Sequence, residues 1–210
     1  MRRTGAVVLV IAGLMASSVL VAPAGSAASS GRALAPAGWE VLDGDSAEAA
    51  AKSGGATVTA EDDPAVIAIQ SLRNTNFVTA ERNYPDPQTG VLRARSTDLG
   101  GWENFDLEWD PANQAYALKS QATGLYVAVE KNLTGDLQNA LRARSANVGG
   151  WERFELLYNE ELDHWAIRSK LNGLYVTMEH NYTGTLQYAL RARSTSISGS
   201  WEQFLLYDRS

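Results

Sequence analysis

Two-thirds of this 210-residue chain repeats itself three times, and that self-similarity limits the possible folds more than any compositional property does. Four short segments recur in a fixed order. The first is Ile67-Ala68-Ile69-Gln70-Ser71, Tyr116-Ala117-Leu118-Lys119-Ser120 and Trp165-Ala166-Ile167-Arg168-Ser169, at steps of 49 residues. The second runs Phe77-Val78-Thr79-Ala80-Glu81, Tyr126-Val127-Ala128-Val129-Glu130 and Tyr175-Val176-Thr177-Met178-Glu179. The third is Leu-Arg-Ala-Arg-Ser, beginning at Leu92, Leu141 and Leu190. The fourth is Trp102-Glu103-Asn104-Phe105, Trp151-Glu152-Arg153-Phe154 and Trp201-Glu202-Gln203-Phe204, where one inserted residue lengthens the last step to 50.

Each segment is short, rich in β-branched and aromatic residues, and alternates apolar with polar positions. Turn residues such as Thr123-Gly124, Thr134-Gly135, Asn172-Gly173 and Thr183-Gly184 separate them. No sustained helical period interrupts the pattern. The spacing therefore predicts three units of four strands, at about 66–113, 114–162 and 163–210. A propeller of three blades falls below the usual range of about four to eight, and an open array expects distinct end units, whereas these three are nearly equivalent. The remaining solution is a closed all-β structure with pseudo-threefold symmetry, a β-trefoil.

The first 65 residues read differently. Arg2 and Arg3, the apolar run from Ala6 to Leu14 and the small residues around Ala27 have the form of a secretory signal peptide over residues 1–27. The apolar stretch is broken by Ser17, Ser18 and Pro23, which argues against a membrane anchor. Residues 28–65, dominated by Ala, Gly, Ser and acids, read as a flexible linker or propiece with too little apolar area to order itself. Trp39 and Val41 are its candidates for docking. The expected product is an extracellular, monomeric protein without a membrane partner.

Composition removes several functions. With no cysteine, the chain has no disulfide, thiolate metal ligand or thiol nucleophile. Only His164 and His180 are available to a metal site or a triad. Its net charge is −6, and becomes −8 once Arg2 and Arg3 leave with the signal, so nucleic acid is an unfavourable partner. No cofactor or metal is expected.

The ordered pattern of Ile/Leu-x-Ser, Gly-Leu-Tyr-Val-x-x-Glu, Leu-x-Ala-x-Ser and Gly-x-Trp-Glu-x-Phe resembles the fascin-like β-trefoil repeat across residues 66–210. Many exported bacterial proteins with this repeat are similar to carbohydrate-binding modules. The resemblance thus implies a lectin-like protein for a polysaccharide, a glucan foremost. The actin-bundling role of fascin, which strings several trefoils together, is not implied for a single secreted one.

Strand parity sorts the side chains further. Leu92, Ala94, Val78, Ala80 and their counterparts face inward, which places Glu81, Glu130 and Glu179 on the opposite face. Trp102, Trp151 and Trp201 are out of phase with the core phenylalanines. They are displayed if the strand runs unbroken, or plug the barrel ends if a bulge intervenes. Displayed indoles could stack on pyranose rings, with Glu81, Glu130 and Glu179 accepting hydroxyl hydrogen bonds and Arg95, Arg144 and Arg193 in support. The same glutamates could instead pair with the arginines across the strands, or be oriented by them. Glu103, Glu152 and Glu202 are expected to cap loop backbone. Asn132 and Asn181 begin glycosylation sequons at equivalent positions and read as hairpin residues.

Carboxylates that recur with threefold symmetry do not make the one specialised acid–base site that catalysis needs, so no enzyme is expected. The alternative function is a protein-interaction module, such as an extracellular protease inhibitor. It would act through Arg82-Asn83-Tyr84-Pro85-Asp86-Pro87-Gln88, a segment unique to the first repeat.

Overall fold

The computed structural model describes residues 35–44 and 64–209. The proposed signal peptide and most of the proposed linker lie outside the described residues. Thirteen strands are present in these segments. After β1 (Glu40–Leu42) come β2 (Ala65–Ser71), β3 (Phe77–Ala80), β4 (Leu92–Ser96) and β5 (Asn104–Asp110). The second repeat supplies β6 (Ala115–Ser120), β7 (Leu125–Val129), β8 (Leu141–Ser145) and β9 (Phe154–Asn159). The third supplies β10 (His164–Ser169), β11 (Tyr175–Met178), β12 (Leu190–Ser194) and β13 (Phe204–Asp208).

Six strands close a barrel in the order β2, β5, β6, β9, β10, β13 and back to β2. Three hairpins, β3–β4, β7–β8 and β11–β12, gather at one end of it. Backbone bonds link these hairpins in a cycle. The Ala143 N–H donates to the Gly90 carbonyl at 2.8 Å, Ala192 to Asn139 at 2.9 Å and Ala94 to Tyr188 at 2.9 Å. The three acceptors all have left-handed backbone, with φ of 80°, 57° and 64°. At Gly90 a Cβ would stand 2.5 Å from the Ala143 carbonyl oxygen, so the first repeat has a glycine here because its backbone approaches too closely for any side chain.

The inward set is as the alternation predicts. Phe105, Phe154 and Phe204 are fully buried at the barrel centre, with Leu92, Leu141 and Leu190 beneath the hairpins. Burying each such side chain is worth about 1.5–3 kcal/mol, and the threefold recurrence multiplies it.

One segment departs from expectation. Within the proposed linker, residues 40–42 form β1, which pairs with β9 through Glu40–Tyr158, Val41–Leu157 and Leu42–Leu156. The reason is local. In the first repeat Ala65 and Val66, entering β2, cover the corresponding edge of β5 at Leu107 and Asp106. In the second, β6 returns from a hairpin and meets β9 only at Tyr116–Phe154, which leaves the rest of that edge to β1. Trp39 and Val41 pack with Ala35 and Ile197 over Leu157, Ala166 and Tyr175, while Leu42 enters the main core. With one face on the barrel interior and the other under this strap, β9 is buried at all six residues, whereas β5 alternates.

Candidate functional site

The three tryptophans lie on turns, two or three residues ahead of β5, β9 and β13, so neither an unbroken strand nor an inward plug describes them. The neighbouring glutamates explain the geometry. The Glu103 carboxylate accepts the Gly100 N–H at 2.7 Å and that of Glu152 accepts the Gly149 N–H at 2.7 Å. In the third repeat the inserted residue stretches the same closure, and Glu202 accepts the Ser198 N–H at 3.3 Å. These buried carboxylates cap their loops as the sequence suggests, and each turn places its indole on the outer side. The turns are fixed from below, since the Trp151 carbonyl accepts the Val129 N–H and the Trp201 carbonyl that of Met178, both at 3.0 Å. Trp102 remains 40% exposed, while Trp151 and Trp201 are half-buried.

A cation stands over each indole. The guanidinium carbon of Arg82 lies 5.8 Å from the Trp102 ring centroid, that of Arg144 lies 5.4 Å from Trp151 and that of Arg73 lies 4.8 Å from Trp201. In the third repeat His180 also meets Trp201 edge-on at 5.9 Å and lies 5.7 Å from Tyr188.

Glu81, Glu130 and Glu179 are not displayed as parity implied; each is buried. The parity argument gave the outer face of each hairpin to water, but near the pseudo-threefold axis the loop of an adjacent repeat covers it. Arg93 donates from Nε to the Gln187 carbonyl at 2.7 Å, Arg142 to Thr89 at 2.8 Å and Arg191 to Gln138 at 2.7 Å, again in a cycle. Beneath these contacts each glutamate holds two arginines. Glu81 pairs with Arg93 at 3.5 Å and with Arg95, Glu130 with Arg142 at 3.3 Å and with Arg144, and Glu179 with Arg191 at 3.9 Å and with Arg193. Each carboxylate is thus engaged within the protein, through both oxygens in Glu81 and Glu179 and through Oε1 in Glu130. Their work in the fold is to hold the outer arginines, whose side chains remain 42%, 36% and 51% exposed at positions 95, 144 and 193. The bond to Glu81 holds the Arg95 guanidinium above its ordinary range.

The inner arginines also explain the unique segment of the first repeat. Arg93 bonds the Tyr84 hydroxyl and Arg191 the Tyr182 hydroxyl. The second repeat has Leu133 at that position, with no hydroxyl to offer. Asp86, reaching from the Pro85-Asp86-Pro87 loop, supplies the missing partner to Arg142 Nη2 at 3.0 Å. Burial, followed by the Glu179 charge, raises the Tyr182 phenol above the ordinary tyrosine value.

Sequence reasoning missed Arg73, and placed Arg82 in the interaction segment of the first repeat rather than over an indole. A signal for Arg82 exists, because a basic residue or histidine follows the glutamate in every repeat: Glu81-Arg82, Glu130-Lys131 and Glu179-His180. Arg73 gives none, since it belongs to the first repeat and reaches Trp201 only when the barrel closes. Among the described residues no group of three or more His, Asp or Glu is placed to hold a metal ion.

No protein-family model and no curated protein sequence matches the chain, so the fascin-like resemblance rests on its repeat motifs. Solved structures do match. The designed three-fold symmetric protein ThreeFoil is similar at 17% identity and a TM-score of 0.56, covering 68% of this chain and 98% of its own. The ricin B-like lectin of Macrolepiota procera, solved with lactose, is 12% identical with a TM-score of 0.53, covering 71% and 99%. A mosquitocidal holotoxin gives 14% and 0.59, covering 71% of this chain, which spans 18% of the toxin's length. At such identities the likeness establishes architecture, and the chain is a β-trefoil protein.

Proposed function

We propose that the chain is a secreted, non-catalytic, lectin-like module that binds polysaccharide through the turns carrying Trp102, Trp151 and Trp201. The observation that carries this reading is the recurrence of a partly exposed indole under a guanidinium at one position of all three repeats. An indole face stacks on the C–H face of a pyranose and guanidinium N–H groups donate to sugar oxygens. Each repeat alone offers one small platform, so a useful affinity comes from several platforms engaging one polymer. The lactose complex of the Macrolepiota lectin shows that a similar scaffold accommodates sugar in that protein, and supports the same class of ligand here. In this reading Glu81, Glu130 and Glu179 position Arg95, Arg144 and Arg193, and the arginines and indoles meet the ligand.

The test is retention of the purified protein in gels or on beads carrying β-glucan, galactan, chitin, xylan or pectin, beside a Trp102→Ala, Trp151→Ala, Trp201→Ala variant. Retention by one polymer, lost in the triple variant while its circular dichroism is unchanged, is the expected result. Absence of retention by every polymer would remove the reading.

A further inference from the structure

Arginines dominate the polar chemistry over the indoles. The carboxylates that recur in every repeat beside them are buried: Glu103, Glu152 and Glu202 close their loops, and Glu81, Glu130 and Glu179 are held between arginines. Asp98, in the loop ahead of Trp102, is an exposed acid that accepts the Thr97 hydroxyl at 3.0 Å, but the charges that stand over the rings are cationic. Arg82 stands over Trp102, Arg144 over Trp151 and Arg73 over Trp201, and Lys131 and the outer arginines 95 and 193 are exposed as well. A site for neutral glucan hydroxyls needs acceptors as well as donors, and these six carboxylates are spent inside the fold. A guanidinium lying over an indole still directs N–H groups outward in its plane, as Arg144 does at Nη1 and Nη2 with its Nε bonded to Glu130, and such an edge matches a planar carboxylate with two parallel bonds or takes the oxygens of a sulfate.

We propose that the ligand is an acidic polysaccharide, whose rings stack on the indoles while its anionic groups pair with the arginines beside them. This rests on the carbohydrate-binding reading above and replaces a neutral glucan as the ligand class. The net charge, −6 for the chain and −8 without the proposed signal peptide, opposes a polyanion at long range, so attraction resides in these short-range pairs and weakens as salt screens them. The three sites are also unequal. Trp102 is the most open and its arginine the most distant, whereas Trp201 is crowded by Arg73 on its face and His180 at its edge. The first repeat is therefore the strongest site.

The experiment compares polymers that differ only in charge: polygalacturonate with its methyl ester, and dextran sulfate with dextran, by affinity electrophoresis of the whole protein at low and raised salt. The wild type is expected to bind an acidic member at least about tenfold more tightly than its neutral partner. Arg82→Gln and Trp102→Ala should each weaken that binding several-fold with unchanged melting temperature, Arg82 being an exposed loop residue. Preference for polygalacturonate assigns a carboxylate, and equal retention by both acidic polymers assigns any fixed anion; both support the proposal. Equal retention of charged and neutral partners, lost in the tryptophan variants, overturns the proposal while leaving the carbohydrate reading intact. Acidic retention untouched by Arg82→Gln and Trp102→Ala overturns it as non-specific ion exchange, and retention by no polymer overturns both readings.

Discussion

At the level of single residues, the buried glutamates divide structural work from contact with ligand. Glu130 lies between Arg142, whose side chain is 9% exposed, and Arg144, whose side chain is 36% exposed, so its removal would leave a buried guanidinium without its carboxylate. Glu130→Ala is therefore expected to cost about 3–5 kcal/mol in chemical denaturation. A change below about 1 kcal/mol would mean that the pair is solvated as surface pairs are. Tyrosine titration offers a second check. Burial and the Glu108 carboxylate hold the Tyr126 phenol above the ordinary value of 10.0, with its hydroxyl bonded to Glu108 at 2.9 Å. The folded protein thus binds this proton more tightly than the unfolded chain does. That stability is fully present below pH 10 and is lost as pH rises through the higher folded value. Ultraviolet titration should show late-ionising phenols, of which one is lost in Tyr126→Phe while that of Tyr182 remains. Parity identified Leu92, Ala94 and their counterparts as core from sequence, but misplaced Glu81, because alternation tells which face a side chain takes and not what covers that face.

Secondary-structure elements show a similar division. The twelve repeat strands are legible because each has its own period-two pattern and turn punctuation. Strand β1 is not, for three residues of Glu-Val-Leu have no pattern, and they pair only because the edge of β9 is left open by the way β6 enters the barrel. Three ladder pairs, the Tyr116 hydroxyl bonded to the Asp43 carbonyl at 2.9 Å and the packing of Trp39, Val41 and Leu42 hold it to the barrel. Leu42→Asp should therefore release β1 alone. Hydrogen exchange is expected to quicken at the amides of residues 40–42 while the β7–β8 hairpin stays protected, and a cooperative loss of protection throughout would show that β1 belongs to the barrel's folding unit. The hairpin contacts near the axis behave oppositely. Gly90→Ala forces a Cβ against the Ala143 carbonyl in left-handed backbone and should lower stability by at least about 1 kcal/mol.

For the molecule as a whole, threefold closure both stabilises the barrel and builds the site. The fold could be read from the repeat, since three equivalent four-strand units leave few alternatives to a closed trefoil. The candidate site could be read only in part: its tryptophans and outer arginines stand out by recurrence, whereas Arg73 reaches Trp201 across the junction where the last repeat meets the first. If the repeats act together on one polymer, single Trp→Ala changes should weaken retention unequally, Trp102→Ala most, and the double and triple changes should multiply the losses.

The central claim, that the turn indoles are the binding surface, is tested most directly by nuclear magnetic resonance of the six tryptophan side chains during titration with an oligosaccharide of the retained polymer. Trp102, Trp151 and Trp201 lie on the turns, Trp109 and Trp165 pack in the main core and Trp39 lies in the β1 strap. The account predicts shifts of the three turn indole N–H signals, largest at Trp102, while the other three stay in place. Shifts confined to Trp39, Trp109 and Trp165, or none at a concentration where the polymer is retained, would contradict it.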